Sequence, residues 1–186
     1  MSALDNPHIA PLTEFVHSIR VERGLPDAIP YFDPLDGGLE AKALFLLEAP
    51  GSKAVRSGFV SRNNPDPTAR NMCLLLRQAA IPREDTILWN VIPWYLGNQV
   101  RIRPAGSTDI VEGAEYLGKL LQLLPRLAVV VLVGKAAQRA RPFVEERSAA
   151  RILETHHPSA RVFNIWPDKR KQVLAVLQDV AVRIKN

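Results

Sequence analysis

Residues 43–51, ALFLLEAPG, form a short apolar run that meets a carboxylate and then breaks at Ala49-Pro50-Gly51. The run has the length of one buried strand, and the Pro-Gly pair stops either a helix or a longer strand from passing through it. Glu48 therefore stands at the carboxyl end of a strand. In an open α/β sheet that edge holds the ligand crevice, because the loops leaving the strands gather there with helix N-termini directed inward. Taken alone, Glu48 reads equally well as a candidate for chemistry or as an exposed loop acid capping the next segment.

Working outward, three more runs have strand character. TILWNVIPW at 86–94 is apolar apart from Asn90 and breaks at Pro93, LAVVVLVG at 127–134 is unbroken, and RILET at 151–155 runs into HHPSARVFN. An unbroken run implies that both faces are covered, as in a parallel sheet between helices. Helical spacing fills the gaps between them. Leu12, Phe15, Val16 and Ile19 mark a helix over 9–23 that ends at Gly24. A second helix starts at Asp66 as its cap and carries Met72, Leu75, Leu76 and Ala79 inward, and a third spans 109–124 with Val111, Ala114, Leu117, Leu120, Leu121 and Leu124 inward. Another begins at Gly134 and is kinked or split by Pro142, and the last covers 168–184. Residues 25–40 read as irregular, with Tyr31 and Phe32 plugging an edge of the core. Residues 52–67, SKAVRSGFVSRNNPDP, and 95–106, YLGNQVRIRPAG, read as long loops of the kind that carry function. Strands alternating with helices predict a three-layer α/β/α sandwich around a central, mainly parallel four-stranded sheet. One domain is expected over residues 1–186, with 1–40 as a helical lead-in. All four strand ends then share one edge.

Composition narrows the class. The 186 residues are 47% hydrophobic and 23% charged, as in ordinary globular chains, and no apolar run approaches the roughly 20 residues that span a bilayer. The amino terminus lacks the basic and apolar pattern of a secretory leader, so the chain reads as cytoplasmic, and a monomer is expected. Cys73 is the single cysteine, which leaves no internal disulfide and no cysteine-based metal site. The excess of 24 Lys and Arg over 19 Asp and Glu, with a pI near 9.7, suits a protein that meets polyanions. Arg56, Arg62, Arg70, Arg101, Arg103, Arg161, Lys169, Arg170 and Lys171 fall in or beside the strand-end loops.

With these stretches in hand, the chain resembles the uracil-DNA glycosylase superfamily over about residues 43–167. LEAPG at 47–51 looks like the first motif of its thermostable branch, GEAPG. SGFV at 57–60 is similar to the segment with the base-stacking phenylalanine, LWNVIPW at 88–94 to the strand with the base-reading asparagine, and HHPSARVFN at 156–164 to the second motif, HPS. The resemblance implies a DNA glycosylase of base excision repair that acts on uracil or another deaminated base, with DNA as its partner. It departs from the branch in two ways. Leu47 replaces the opening glycine, and one cysteine cannot supply that branch's four-cysteine iron–sulfur cluster. Ala49 stands where the best-studied branches place Asp or Asn, as it does in the thermostable branch. No metal or other cofactor is expected.

Such chemistry needs a flipped nucleotide, a surface for its base, and groups opposite the charges that develop as the bond breaks. The resemblance makes Glu48 and His157 catalytic, Ala49, Phe59 and Asn90 base-binding, and Pro50, Gly51, Pro158, Ser159 and Arg161 DNA-binding. One carboxamide offers both a donor and an acceptor to a uracil edge, although Asn90 also reads as a buried amide satisfied by backbone. Phe59 reads as a stacking surface or as core. Arg161 reads as a wedge, a phosphate contact or a solvated cation. Asn63 and Asn64 read as substrate contacts or as turn formers. His156 and His157 point to opposite faces of an extended chain, so only one enters the pocket. His157 is the choice because it precedes Pro158-Ser159, which leaves His156 a supporting role. Adjacent, diverging histidines make a poor metal pair. Two other readings stay open: a noncatalytic nucleic-acid or base-binding module, and a protein acting on free nucleosides or nucleotides.

Overall fold

A computed structural model describes residues 2–97 and 101–185. Helix α1 covers Ala10–Arg23 and strand β1 covers Tyr31–Phe32, followed by β2 at Ala43–Leu47, α2 at Ser52–Ser57, β3 at Phe59–Val60, α3 at Pro67–Gln78 and β4 at Thr86–Asn90. Then come α4 at Ser107–Gln122, β5 at Val129–Val133, α5 at Lys135–Gln138, α6 at Arg141–Arg147, β6 at Arg151–Thr155, α7 at Ala160–Ile165 and α8 at Asp168–Arg183. Residues 98–100 of the expected 95–106 loop lie outside the described residues.

The central sheet has the order β4-β2-β5-β6 and is parallel throughout, as the unbroken apolar strands predict. From β2 the chain crosses through α3 to β4 on one side. It then returns through α4 to β5 on the other side and continues outward through α5 and α6 to β6. Because such crossovers are right-handed, a reversal of direction sends α3 and α4 to opposite faces. α3 indeed packs with α7 and α8, and α4 with α1 and α6. Adjacent strands whose connections leave in opposite directions, here β2 and β5, open a crevice at their carboxyl ends.

The core is filled from both sides. Phe32 stacks on Trp89 with ring centroids 3.8 Å apart and planes 14° from parallel, so the expected plug at Phe32 sits in the middle of the core. Gly24 ends α1 in the left-handed conformation at φ 63°, and Pro142 splits its segment into α5 and α6.

Three expectations change. Val111 is exposed and Ile110 takes its inward place on α4, one residue earlier in the helical turn. The 52–67 stretch is not a plain loop. It holds α2, which is too short to show a periodic apolar face, and β3, which pairs in parallel with β1 through Tyr31–Phe59 and Phe32–Val60. Residues 159–162 after His157, which read as a loop in the sequence, instead open a helix, because Ser159 accepts a hydrogen bond from Val162 N at 3.2 Å and caps α7.

A buried ionic cluster anchors the lead-in against the sheet. Arg83 meets Asp33 at 2.6 Å and Asp36 at 2.8 Å, and Arg62 meets Asp36 at 3.4 Å and donates to Thr86 Oγ1. Ser61 donates to Asp33. Arg62 is therefore buried and engaged, unlike the solvent-facing cation that its place in the sequence suggests.

Candidate base-binding and catalytic site

The carboxyl ends of β2 and β4 are tied together beyond the last strand residues. Val91 N donates to Leu47 O at 2.8 Å and Ile92 N to Glu48 O at 2.9 Å. Gly113 of α4 lies so close behind this segment that a Cβ there would come within 2.4 Å of Val91 O. Asn90 is thus the last residue of an edge strand tied to β2 on one side and backed by α4. It is 3% exposed, and its Nδ2 has no hydrogen-bond partner. A buried donor left unpaired costs free energy, and this one lies in the wall of a cavity.

That cavity, roughly 340 Å³, is lined by Leu47, Ala49, Pro50, Gly51, Val60, Asn64, Asp66, Leu88, Asn90, Ile102 and His157 among others. Its size is at the lower end of small-ligand sites, which run from about 300 Å³. Ile102 is largely exposed at the mouth, and Arg103 next to it is fixed by two hydrogen bonds to Asp109, at 2.6 and 2.7 Å. The hydrogen-bonded guanidinium holds the Asp109 carboxyl down at about 2.

On the other flank of His157 lies a second cavity of roughly 420 Å³, lined by Glu48, Pro104, Ala105, Val133, Gly134, Lys135, Ala136, Arg139 and His157. Glu48 Oε1 accepts from Ala105 N at 3.0 Å. His157 borders both cavities. Burial pushes its imidazole pKa below the ordinary 6.5, against the upward pull of the Glu48 and Asp66 carboxylates. At neutral pH the ring is uncharged and able to donate one N–H. His156 faces away and donates to Gln172 Oε1 at 2.8 Å, as alternation along an extended chain predicts.

Gly134 sets how closely β5 approaches His157. Its φ is +87°, and a Cβ there would stand 3.0 Å from the His157 Cβ. Gly134→Ala combines a left-handed side-chain residue, costing about 1 kcal/mol, with a displaced imidazole. The expected outcome is a melting temperature lower by a few degrees, read by thermal denaturation. If the variant melts with the parent, Gly134 does not constrain this contact.

Of the expected site residues, Ala49, Pro50, Gly51, Asn90 and His157 line one cavity, while Glu48 lines the adjoining one. Phe59 lines neither. Its ring centroid lies 6.4 Å from that of Tyr31, and its neighbour Val60 lines the cavity. Pro158 is buried with its carbonyl accepting from Asn71 Nδ2 at 2.8 Å, and Ser159 is occupied as the α7 cap. Arg161 is exposed on α7 and lines none of these cavities. Asn64 is on the cavity wall, with Nδ2 donating to Phe59 O at 2.9 Å, whereas Asn63 is exposed.

Asp66 is the residue the sequence undervalued. It does cap α3, accepting from Ala69 N at 2.9 Å, and it also lines the base-sized cavity and faces His157 electrostatically. Its position at a helix start directed into the crevice was the available signal.

The family model described as the uracil DNA glycosylase superfamily matches residues 34–181. The chain belongs to this superfamily. No curated protein matches. Among solved structures, a Methanosarcina acetivorans protein provisionally titled a uracil DNA glycosylase is similar at 14% identity, with a TM-score of 0.53 over 82% of this chain and 94% of that one. A mimivirus UNG variant, crystallised in complex with UGI, is similar at 14% identity and a TM-score of 0.44 over 86% and 72% of the two chains. At these identities the first supports the fold alone, and the second carries no argument. The superfamily member described here cannot hold the four-cysteine cluster of the thermostable branch, since Cys73, half-buried on α3, is its one cysteine.

Proposed function

We propose that the protein hydrolyses the N-glycosidic bond of uracil, or of another deaminated base, in DNA after the nucleotide is flipped from the stack. The observation that carries this reading is the Asn90 amide, whose buried Nδ2 is unpaired in the wall of a base-sized cavity bordered by His157. In the bound state the amide donates to a carbonyl oxygen of the base and accepts from its ring N–H. Water adds its oxygen to the sugar carbon as the bond to the base breaks, and the base leaves with the electron pair. His157 donates an N–H toward the base oxygen that gains charge, while the carboxylates of Glu48 and Asp66 oppose the positive charge on the sugar. Pro50, Gly51 and the Pro158-Ser159 turn contribute backbone to the strand.

A noncatalytic base-binding protein is the second reading. It is favoured by the place of Glu48, whose carboxylate is held by Ala105 in the adjoining cavity and not in the cavity with Asn90.

The test is release of free base from oligonucleotides containing uracil, hypoxanthine or xanthine, single-stranded and duplex. Release is expected to be level at neutral pH and to fall on the acid side, below pH 6.5, because His157 titrates below its ordinary value. Protonation would pair the ring with Glu48 and Asp66 and set a positive charge against the sugar cation. Binding without release of any of the three bases selects the second reading.

A further inference from the structure

A cavity larger than the one with Asn90 adjoins it. A groove of roughly 860 Å³ runs between α3, α7 and the start of α8. Its lining includes Arg70, Arg77 and Arg170, the amides of Asn63 and Asn164, and the ring of Phe163. Arg70 and Arg77 are exposed, and their side chains have no ion-pair partner among the described residues. Arg170 has none either and lies over Phe163, 5.8 Å from the ring centroid.

Several other surface arginines are neutralised, Arg23 by Glu112, Arg126 by Glu40, Arg141 by Glu145 and Glu154, and Arg183 by Asp179. Arg56, Arg151 and Arg161 are exposed without an ion pair among the described residues, but they do not line this groove. What distinguishes Arg70, Arg77 and Arg170 is that they line one groove. Three uncompensated guanidiniums converging on one concave surface therefore mark a site for an anion with several charges. The carboxylate in the lining is Asp66, which lies at one end, where the groove meets the base-sized cavity through Asn64, Asp66 and Pro67. Arg62, also in the lining, is occupied by Asp36 and Thr86.

Spaced cations, an aromatic face and exposed amides match the repeating phosphate and base of a nucleic-acid single strand. We propose that this groove binds the single-stranded stretch flanking the nucleotide whose base enters the Asn90 cavity, with Arg70, Arg77 and Arg170 on successive phosphates and Phe163 against a base. The position of that stretch relative to the flipped base rests on the glycosylase reading, whereas the affinity of the groove for a single strand does not.

The experiment uses the full chain and a fluorescent oligodeoxycytidylate, whose bases carry no ring N–H to donate to Asn90, with binding followed by anisotropy across a salt series. The triple variant Arg70→Ala/Arg77→Ala/Arg170→Ala is expected to bind roughly tenfold more weakly or worse at low salt. Its slope of log K against log[salt] should fall by about 0.7 per arginine removed. The single variant Arg77→Ala, at an exposed position, should lower the slope by about 0.7 and guards against misfolding of the triple variant. Arg151→Ala, at an exposed arginine that lines neither cavity, should bind this oligomer as the parent does. The proposal is overturned if the triple variant keeps the parent's affinity and slope, if only binding to blunt duplex weakens, or if Arg151→Ala loses as much per arginine as the triple variant. Intact groove binding without base release would fault the glycosylase reading and leave the groove standing.

Discussion

Asn90→Asp should cut the release of uracil by at least about a hundredfold in single-turnover assays. The substitution keeps the size of the side chain and replaces the one donor at its tip with an acceptor. The Asn90 Nδ2 is buried and unpaired, so it is available for a base carbonyl, and an aspartate would instead oppose both that carbonyl and the negative charge on the departing base. A hundredfold loss corresponds to about 2.7 kcal/mol of transition-state stabilisation, the lower end of what one oxyanion donor supplies. Asn90→Ala removes the recognition without adding charge and should show a smaller loss. Equal release by parent and Asp variant would show that the amide does not read the base.

The largest effect on stability is expected for Asp36→Ala. Asp36 is fully enclosed beside Arg62 and Arg83, and burial pushes its carboxyl pKa up to about 6 despite both arginines. Deleting it leaves Arg62, itself buried, with Thr86 as its hydrogen-bonded partner. Removing one member of a buried pair costs about 3–5 kcal/mol, or roughly 10 °C in melting temperature for a chain of this length. Asp36→Asn keeps an acceptor for Arg83 and should lose less. Thermal or urea denaturation of the two variants decides the matter. An Ala variant as stable as the parent would mean that the cluster supplies no net stability.

The sheet was legible because β2 and β5 at its centre are apolar without interruption, the trace left by parallel strands buried on both faces, whereas β6 at the edge, RILET, is only partly buried. α3 was legible down to its cap, since Asp66-Pro67 fixes a start and the apolar residues keep helical spacing. The features that escaped are those too short to have a period. α2 buries only Ala54, and β1 and β3 are two residues each. The site divided in the same way. Residues at strand ends, Ala49, Asn90 and His157, could be placed from chain direction. The orientation of Phe59 depended on β3 pairing with β1, and β1 lay in a segment without a strand signal. The burial of Arg62 depended on Asp36, 26 residues away, and charge counting cannot distinguish a cation facing solvent from one locked inside.

The ties from Val91 and Ile92 to the end of β2, with Gly113 pressed behind them, place Asn90 at the tip of a braced rod and not on a loop. The disorder that a free asparagine side chain and backbone would surrender on binding is already lost when the protein folds. Discrimination between bases at this position is therefore a matter of fit against a fixed template, and a mismatched base finds little give in the amide to accommodate it.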